Sequence, residues 1–238
     1  MRQTGHGPHP GGFYVTGTDT GAGKTLASCA LLHALRAEGW RAVGMKPLAS
    51  GCARTAEGWR NEDALALQAA GDPLMRYEDV NPYALPRPLA PELAARDAGV
   101  EITLDPILEA HDRLSAQADI VVVEGVGGWA APLSGSLDQV DLVHALGLPV
   151  ILVVGLRLGC LNHARLTARA IADDGAHLVG WIASEVDPDM ESRDDNFALL
   201  HQRISAPCLG RLPFAAAPDA GVLARRLSVA QALHPVST

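Results

Sequence analysis

Five side chains in this sequence have types and settings suited to phosphate chemistry: Lys24, Thr25, Lys46, Asp63 and Glu124. Lys24 and Thr25 close the stretch Gly17–Thr25, Gly-Thr-Asp-Thr-Gly-Ala-Gly-Lys-Thr. It lies between the apolar run Phe13-Tyr14-Val15 and a helical pattern from Leu26 to Leu35. A buried strand, a glycine-bearing turn and a helix N-terminus, in that order, make a phosphate cradle. Backbone N–H groups point into the loop, the helix dipole favours an anion there, and a lysine adds a mobile positive charge. Thr25 can offer its hydroxyl to a magnesium ion bridging the phosphates. Thr18 stands where the pattern Gly-x-x-x-x-Gly-Lys-Thr has its first glycine, and Gly17 comes one residue early.

Glu124 ends the run Asp-Ile-Val-Val-Val-Glu, the placement of a carboxylate that meets magnesium on bound phosphates. A charge closing a buried strand equally marks the surface, and the adjoining Gly125-Val126-Gly127-Gly128 tips the balance to function. Lys46 ends the second strand. An ammonium there would neutralise charge on a transferred phosphoryl group; the plainer alternative is a solvated lysine. Asp63 falls in the first turn of a helix. By position alone it reads as a helix-dipole partner sooner than as a second magnesium ligand.

The elements that must position these groups alternate between strand and helix. Strands are expected at 13–16, 41–45, 119–124, 149–154, 177–184 and 208–212. Helices are expected from 24 or 25 to 38, then at 62–70 with Asn61 as N-cap, 91–97, 105–117, 139–146, 163–174 and 190–204. The stretch 49–60 lacks periodicity. Residues 71–91 hold five prolines and read as a long surface excursion that could cover a ligand, and 158–162 read as a turn. The pattern predicts an α/β fold: a single-domain, doubly wound, mostly parallel sheet over 13–238, of phosphate-loop NTPase type, behind a loosely ordered leader at 1–12. In such a sheet the loops beyond the strand carboxyl ends converge on the ligand.

The 238 residues are 48% hydrophobic and 19% charged, enough for a sizeable core. A formal net charge of −8 gives no footprint for nucleic acid or anionic membrane, so neither is expected as a partner. Cys29, Cys52, Cys160 and Cys208 show no metal or redox spacing, which fits a reducing cytoplasm. His33, His144 and His163 also lack metal spacing.

Val15–Thr25 resembles the phosphate loop of the dethiobiotin synthetases, which share the displaced glycine. Further similar stretches are Lys46–Gly51, Asn61–Leu65, Val80–Tyr83, Val123–Trp129 with Pro132-Leu133, and Gly159–Ala164. In order, they cover most of Phe13–Phe214. The resemblance implies a cytoplasmic, homodimeric cyclo-ligase that uses ATP and magnesium to close a cyclic urea on diaminopelargonate with CO2. It would pass through a carbamate and a carbamoyl-phosphate-type mixed anhydride. It implies that Gly21, Ala22, Gly23, Lys24, Thr25 and Leu26 hold the phosphates, and that Thr25, Asp63 and Glu124 hold magnesium. Gly125, Val126 and Gly127 would adjoin the nucleotide. Lys46, assisted by Lys24, would stabilise the carbamate and transition state. Thr20 and Ser50 would touch substrate, while Gly159, Cys160 and Asn162 would meet its carboxylate across a dimer interface. Ser184 and Glu185, with Leu212, Pro213 and Phe214, would flank the base.

Two departures stand out. Gly21 replaces a frequently acidic residue, and Ser184-Glu185 replaces a frequent Asn-Asp pair whose Asn reads adenine. Other triphosphates besides ATP are therefore open to this site. The competing class, nucleotide-switched partition ATPases, places an extra lysine where this chain has Asp19.

Overall fold

The structure, a computed structural model, describes residues 11–233; the leader expected at 1–12 lies outside them except for Gly11 and Gly12. Gly12 already belongs to the first strand, β1 (Gly12–Gly17), which extends one residue beyond the expected 13–16 at each end. The phosphate loop follows and leads into α1 (Lys24–Ala37), β2 (Ala42–Met45) and β3 (Leu48–Ser50). Next come the hairpin β4 (Ala53–Thr55) and β5 (Gly58–Arg60), α2 (Glu62–Ala70), the single turn α3 (Tyr77–Val80) and β6 (Tyr83–Leu85). Helices α4 (Pro91–Ala98) and α5 (Asp105–Ser115) precede β7 (Ile120–Glu124). A small hairpin, β8 (Pro132–Ser134) and β9 (Leu137–Asp138), then leads to α6 (Gln139–Leu146). The last part contains β10 (Val150–Leu156), α7 (Cys160–Asp173), β11 (Leu178–Glu185), α8 (Arg193–Arg203) and β12 (Cys208–Leu212). It ends with α9 (Ala220–Leu223), a 3-10 turn and α10 (Ala230–Leu233).

Six strands form the main sheet in the order β12-β11-β10-β1-β7-β2, and every pairing in it is parallel. From β1 the chain first moves to β2 at one edge, and later returns past β1 to build β10, β11 and β12 on the other side. The loop after β1 therefore lies at the point where strand order reverses, between β10 and β7.

Alternation along the strands divides the core between the two faces. Phe13, Val15, Ile120 and Val122 point to the face covered by Leu31 and Leu35 of α1 and Leu67 of α2. Tyr14, Val121 and Val123 point to the other face, covered by Ile107, Leu142, Ala164 and Leu200 from α5 to α8. Each fully buried aliphatic side chain here contributes about 1.5–3 kcal/mol. The same period of two puts Glu124 on the α1 side, two residues beyond Val122. Its polar partners are therefore drawn from α1 and its neighbours.

Three expectations need correction. The aperiodic stretch 49–60 contains part of β3 and the β4–β5 hairpin; three-residue strands are too short to carry a readable period. The proline-rich excursion 71–91 is not wholly superficial, because Tyr77, Val80, Tyr83 and Leu85 are buried and β6 pairs with β3. The expected turn at 158–162 already holds the start of α7 at Cys160, capped by Gly159 at φ 95°. Helix α2 does begin after Asn61, whose side chain accepts from the Ala64 N–H; such a cap contributes about 1 kcal/mol. Among the described residues no helix is long and apolar enough to cross a membrane.

Candidate functional site

The phosphate loop is shaped by two left-handed glycines, Gly21 at φ 76° and Gly23 at φ 85°, the latter capping α1. Gly17 explains the irregular spacing of the motif. A Cβ added there would lie 3.0 Å from Lys24 Cγ and 3.2 Å from its Nζ, so the missing side chain leaves a channel for the lysine. Gly23 has the same kind of neighbour, since a Cβ there would collide with Ser184 Oγ. Ala22 is buried beneath the loop, next to Gly155 of β10.

Lys24 folds back inside this loop, donating to the carbonyls of Asp19 at 2.9 Å and Gly127 at 2.6 Å. Burial pulls its pKa down to about 8. The positive charge of Lys46 pulls in the same direction, while Glu124 and Asp63 act against it. The Asp19 side chain is ion-paired with Arg157, just beyond β10.

A second centre forms where β2, α2, α1 and β7 meet. Lys46 is only 4% exposed, contrary to the solvated alternative. Its Nζ donates to Glu124 Oε1 at 2.5 Å, Asp63 Oδ2 at 3.2 Å and the Gly125 carbonyl at 3.4 Å. Burial alone would lower its pKa, but the Glu124 and Asp63 carboxylates more than offset that and raise it. Close packing supports this meeting. A Cβ on Gly44 of β2 would sit 2.8 Å from Leu67 Cβ, so the glycine lets α2 approach and brings Asp63 within reach. Asn81, itself buried, donates to the Lys46 carbonyl at 2.7 Å and fixes the backbone.

Thr25 Oγ1 donates to the same Glu124 Oε1 at 2.9 Å. Glu124 Oε2 is buried with no hydrogen-bond partner, an arrangement costly for a carboxylate unless a cation or ligand answers it. A hydroxyl and two carboxylates are hard oxygen donors of the kind magnesium takes, with phosphates and waters completing its shell. The residues present therefore fit magnesium. Among the described residues no cluster of three or more His, Cys, Asp or Glu side chains offers an all-protein metal site.

Both centres open into one cavity of about 1210 Å³. Its lining includes Thr20, Gly21, Gly23, Lys24, Thr25 and Leu26 from the phosphate loop and α1, then Lys46, Ser50, Asp63, Glu124, Val126 and Gly127. Pro88, Leu89, Ala90 and Pro91, from the excursion, form part of its wall. Gly125 lies behind the cavity, close to Tyr14 and Gln139.

Of the residues expected near the base, Ser184 lies beside the loop, and none of the five lines the cavity. Ser184 is buried against Gly23. Both oxygens of Glu185 are occupied: Arg193 donates at 2.9 Å, Arg211 at 2.6 Å and the Phe214 N–H at 3.3 Å. Leu212 is buried, whereas Phe214 is exposed. Gly159, Cys160 and Asn162 do not line the cavity; Cys160 is buried and Asn162 is exposed at the start of α7. The wall at 88–91 falls within the excursion expected to cover a ligand, whereas sequence reasoning passed over Gln139 and the pairing of Asp19 with Arg157. The contacts of these residues join distant segments and leave no local pattern.

Comparison with known proteins accords with this geometry. A family model described as an AAA domain matches residues 11–220. A chain of the MinC:MinD cell division protein complex of Aquifex aeolicus superposes with a TM-score of 0.53 at 12% identity, covering 92% of this chain and 87% of its own. That likeness extends to the phosphate-loop α/β fold. The ATP-dependent dethiobiotin synthetase BioD of Xanthomonas oryzae pv. oryzae (strain PXO99A) is 66% identical over 216 residues, covering 91% of this chain and 96% of that protein. The protein of the same name from Xylella fastidiosa (strain 9a5c) is 62% identical over 201 residues, covering 84% and 89%. With its loop, its buried lysine–carboxylate centre and this similarity along most of its length, the chain belongs to the ATP-dependent dethiobiotin synthetase family.

Proposed function

We propose that the protein closes the ureido ring of dethiobiotin from 7,8-diaminopelargonate and CO2 at the expense of ATP. The observation that carries this reading is the buried Lys46 ammonium, held between Glu124 and Asp63 in the same cavity as the phosphate loop. A phosphate loop alone serves many reactions; a second fixed cation facing it suits an anionic co-substrate such as a carbamate.

One amine of the substrate adds to CO2, forming an N–C bond and releasing a proton to give the carbamate. A carbamate oxygen then attacks the γ-phosphorus, the bond to the ADP oxygen breaks, and a mixed anhydride results. The neighbouring amine attacks the carbonyl carbon, inorganic phosphate leaves, and loss of a proton completes the ring. Lys46 binds the carbamate and offsets charge on the transferring group, while Lys24 swings from its two carbonyls to the phosphates. Backbone N–H groups of Gly21–Leu26 hold the nucleotide, with Gly125–Gly127 beside it. Thr25, Asp63 and Glu124 would hold magnesium, and the unpartnered Glu124 Oε2 supports that set. When bound, the ion neutralises phosphate charge.

Thr20 and Ser50, both on the cavity wall, orient the diamine. Gly159, Cys160 and Asn162 are assigned to the carboxylate of a substrate bound in a second copy of the chain. Their separation from this chain's own cavity and the 91% exposure of neighbouring Leu158 support a homodimer. Four free cysteines fit a cytoplasmic setting. Ser184, with Leu212, Pro213 and Phe214, flanks the base; Glu185, already bound to two arginines, orders that loop. A hydroxyl reads a base less fully than an amide, which leaves the site open to triphosphates other than ATP. The partition-ATPase alternative is disfavoured by Asp19, whose ion pair with Arg157 occupies the place of the extra lysine.

Phosphate release in the presence of each nucleoside triphosphate, with and without diamine and bicarbonate, tests the reading. Release should require the diamine; hydrolysis independent of it would overturn the assignment.

A further inference from the structure

Gln139, the first residue of α6, is fully buried, and its side-chain amide is engaged at both ends. Its Oε1 accepts from the Tyr14 hydroxyl at 2.7 Å and from the Val126 N–H at 3.2 Å. Its Nε2 donates to the Gly128 carbonyl and, at 3.5 Å, to that of Trp129. One side chain thus binds a loop that contains Gly125, Gly127 and Gly128 and is intrinsically free to adopt many conformations. Trp129 anchors its far end by donating from Nε1 to Asp174 Oδ2 at 2.7 Å.

This loop holds the cavity's two cations. The Gly127 carbonyl accepts from Lys24, and the Gly125 carbonyl accepts from Lys46. An apolar side chain of equal length would occupy the same space without the cost of desolvating an amide, but would leave the loop carbonyls unheld. We propose that Gln139, oriented by Tyr14, is a positioning residue that pins the 125–129 loop so that the Lys24 and Lys46 ammonium groups are correctly placed. The inference rests on the phosphoryl-transfer reading above for what that placement achieves.

Gln139→Met removes the amide and also leaves the Tyr14 hydroxyl buried without an acceptor. The double variant Tyr14→Phe/Gln139→Met removes both groups. The single change should lower the melting temperature and reduce kcat about tenfold, with the KM for the diamine little changed. The double variant should regain melting temperature but not kcat. Hydrogen exchange of the 125–129 amides should be faster than in the unsubstituted protein in both variants.

Recovery of kcat together with melting temperature, an unaltered kcat, or unaltered exchange would overturn the proposal. So would failure of the double variant to fold, which would show that Gln139 serves the whole fold rather than the loop. If the unsubstituted protein makes no dethiobiotin, the functional reading fails, while the exchange measurement still decides whether Gln139 pins the loop.

Discussion

Replacing Lys46 with methionine keeps the length of the side chain and removes its charge, and should damage stability and turnover separately. Lys46 is 4% exposed and Glu124 1%, so Glu124 would be left as a buried carboxylate without a cation. Breaking one side of such a pair costs roughly 3–5 kcal/mol, much more than the 0–1 kcal/mol of an exposed ion pair. The contact with Asp63 adds little, because that side chain is 43% exposed. For a chain of this size the loss corresponds to a fall in melting temperature of roughly 6–20 °C. The raised pKa of Lys46 means that its contribution is complete below the unfolded value of 10.5 and is lost only as pH rises through the still higher folded value. Neutral pH is therefore the right condition. Adding Glu124→Met should restore most of the stability, since no orphan charge then remains. Turnover should drop by about 10²–10³-fold in the single variant, on the order of 3–4 kcal/mol, and should not return in the double variant. Thermal denaturation and dethiobiotin formation are the two assays. A shift of under about 2 °C would refute the buried-pair reasoning, and unchanged turnover would refute the catalytic role.

Lys24, with its pKa lowered to about 8, predicts a pH-dependent nucleotide affinity. Between that value and its ordinary 10.5 the free folded protein holds a neutral lysine where the unfolded chain holds a charged one, so stability rises with pH across this window. Bound phosphates favour the charged form. Calorimetry in buffers of different ionisation enthalpy should therefore show proton uptake on ATP binding above about pH 8, absent in Lys24→Met. Gly17→Ala places a methyl group 3.0 Å from Lys24 Cγ and should raise the KM for ATP about tenfold, about 1.4 kcal/mol. An unaltered KM would show that the lysine does not need that channel. Asn162→Ala should weaken diamine binding while sparing nucleotide binding, as titration of each separately will show; equal loss of both would oppose its assignment to the substrate carboxylate.

Much of the scaffold is legible in the sequence because long, uniform patterns encode it. The valines before Glu124 and the run Val150–Val154 can only be central strands, and Gly17–Thr25 between a strand and a helix marks the phosphate loop. The helix cap at Asn61 is a local signal and was readable for the same reason. The hairpins β4–β5 and β8–β9 were not, since two or three residues do not establish a period. Solvation of Lys46 was an open alternative because a lysine at a strand end is ordinarily exposed. Its burial follows from Gly44, which lets α2 close over β2, and from Asn81, both outside any motif around the lysine. Gln139 leaves no local signal for a related cause: its partners are Tyr14, on β1, and the loop carrying Val126 and Gly128, brought to it by the packing of α6 behind that loop.

The pairing of Lys46 with the phosphate loop in one cavity is tested most directly by following carbon. The protein would be incubated with diaminopelargonate, 13C-bicarbonate, magnesium and ATP, and its product weighed by mass spectrometry alongside released phosphate. Dethiobiotin carrying a single 13C, formed with one phosphate per ring, is the predicted result. Phosphate released without labelled dethiobiotin would contradict it.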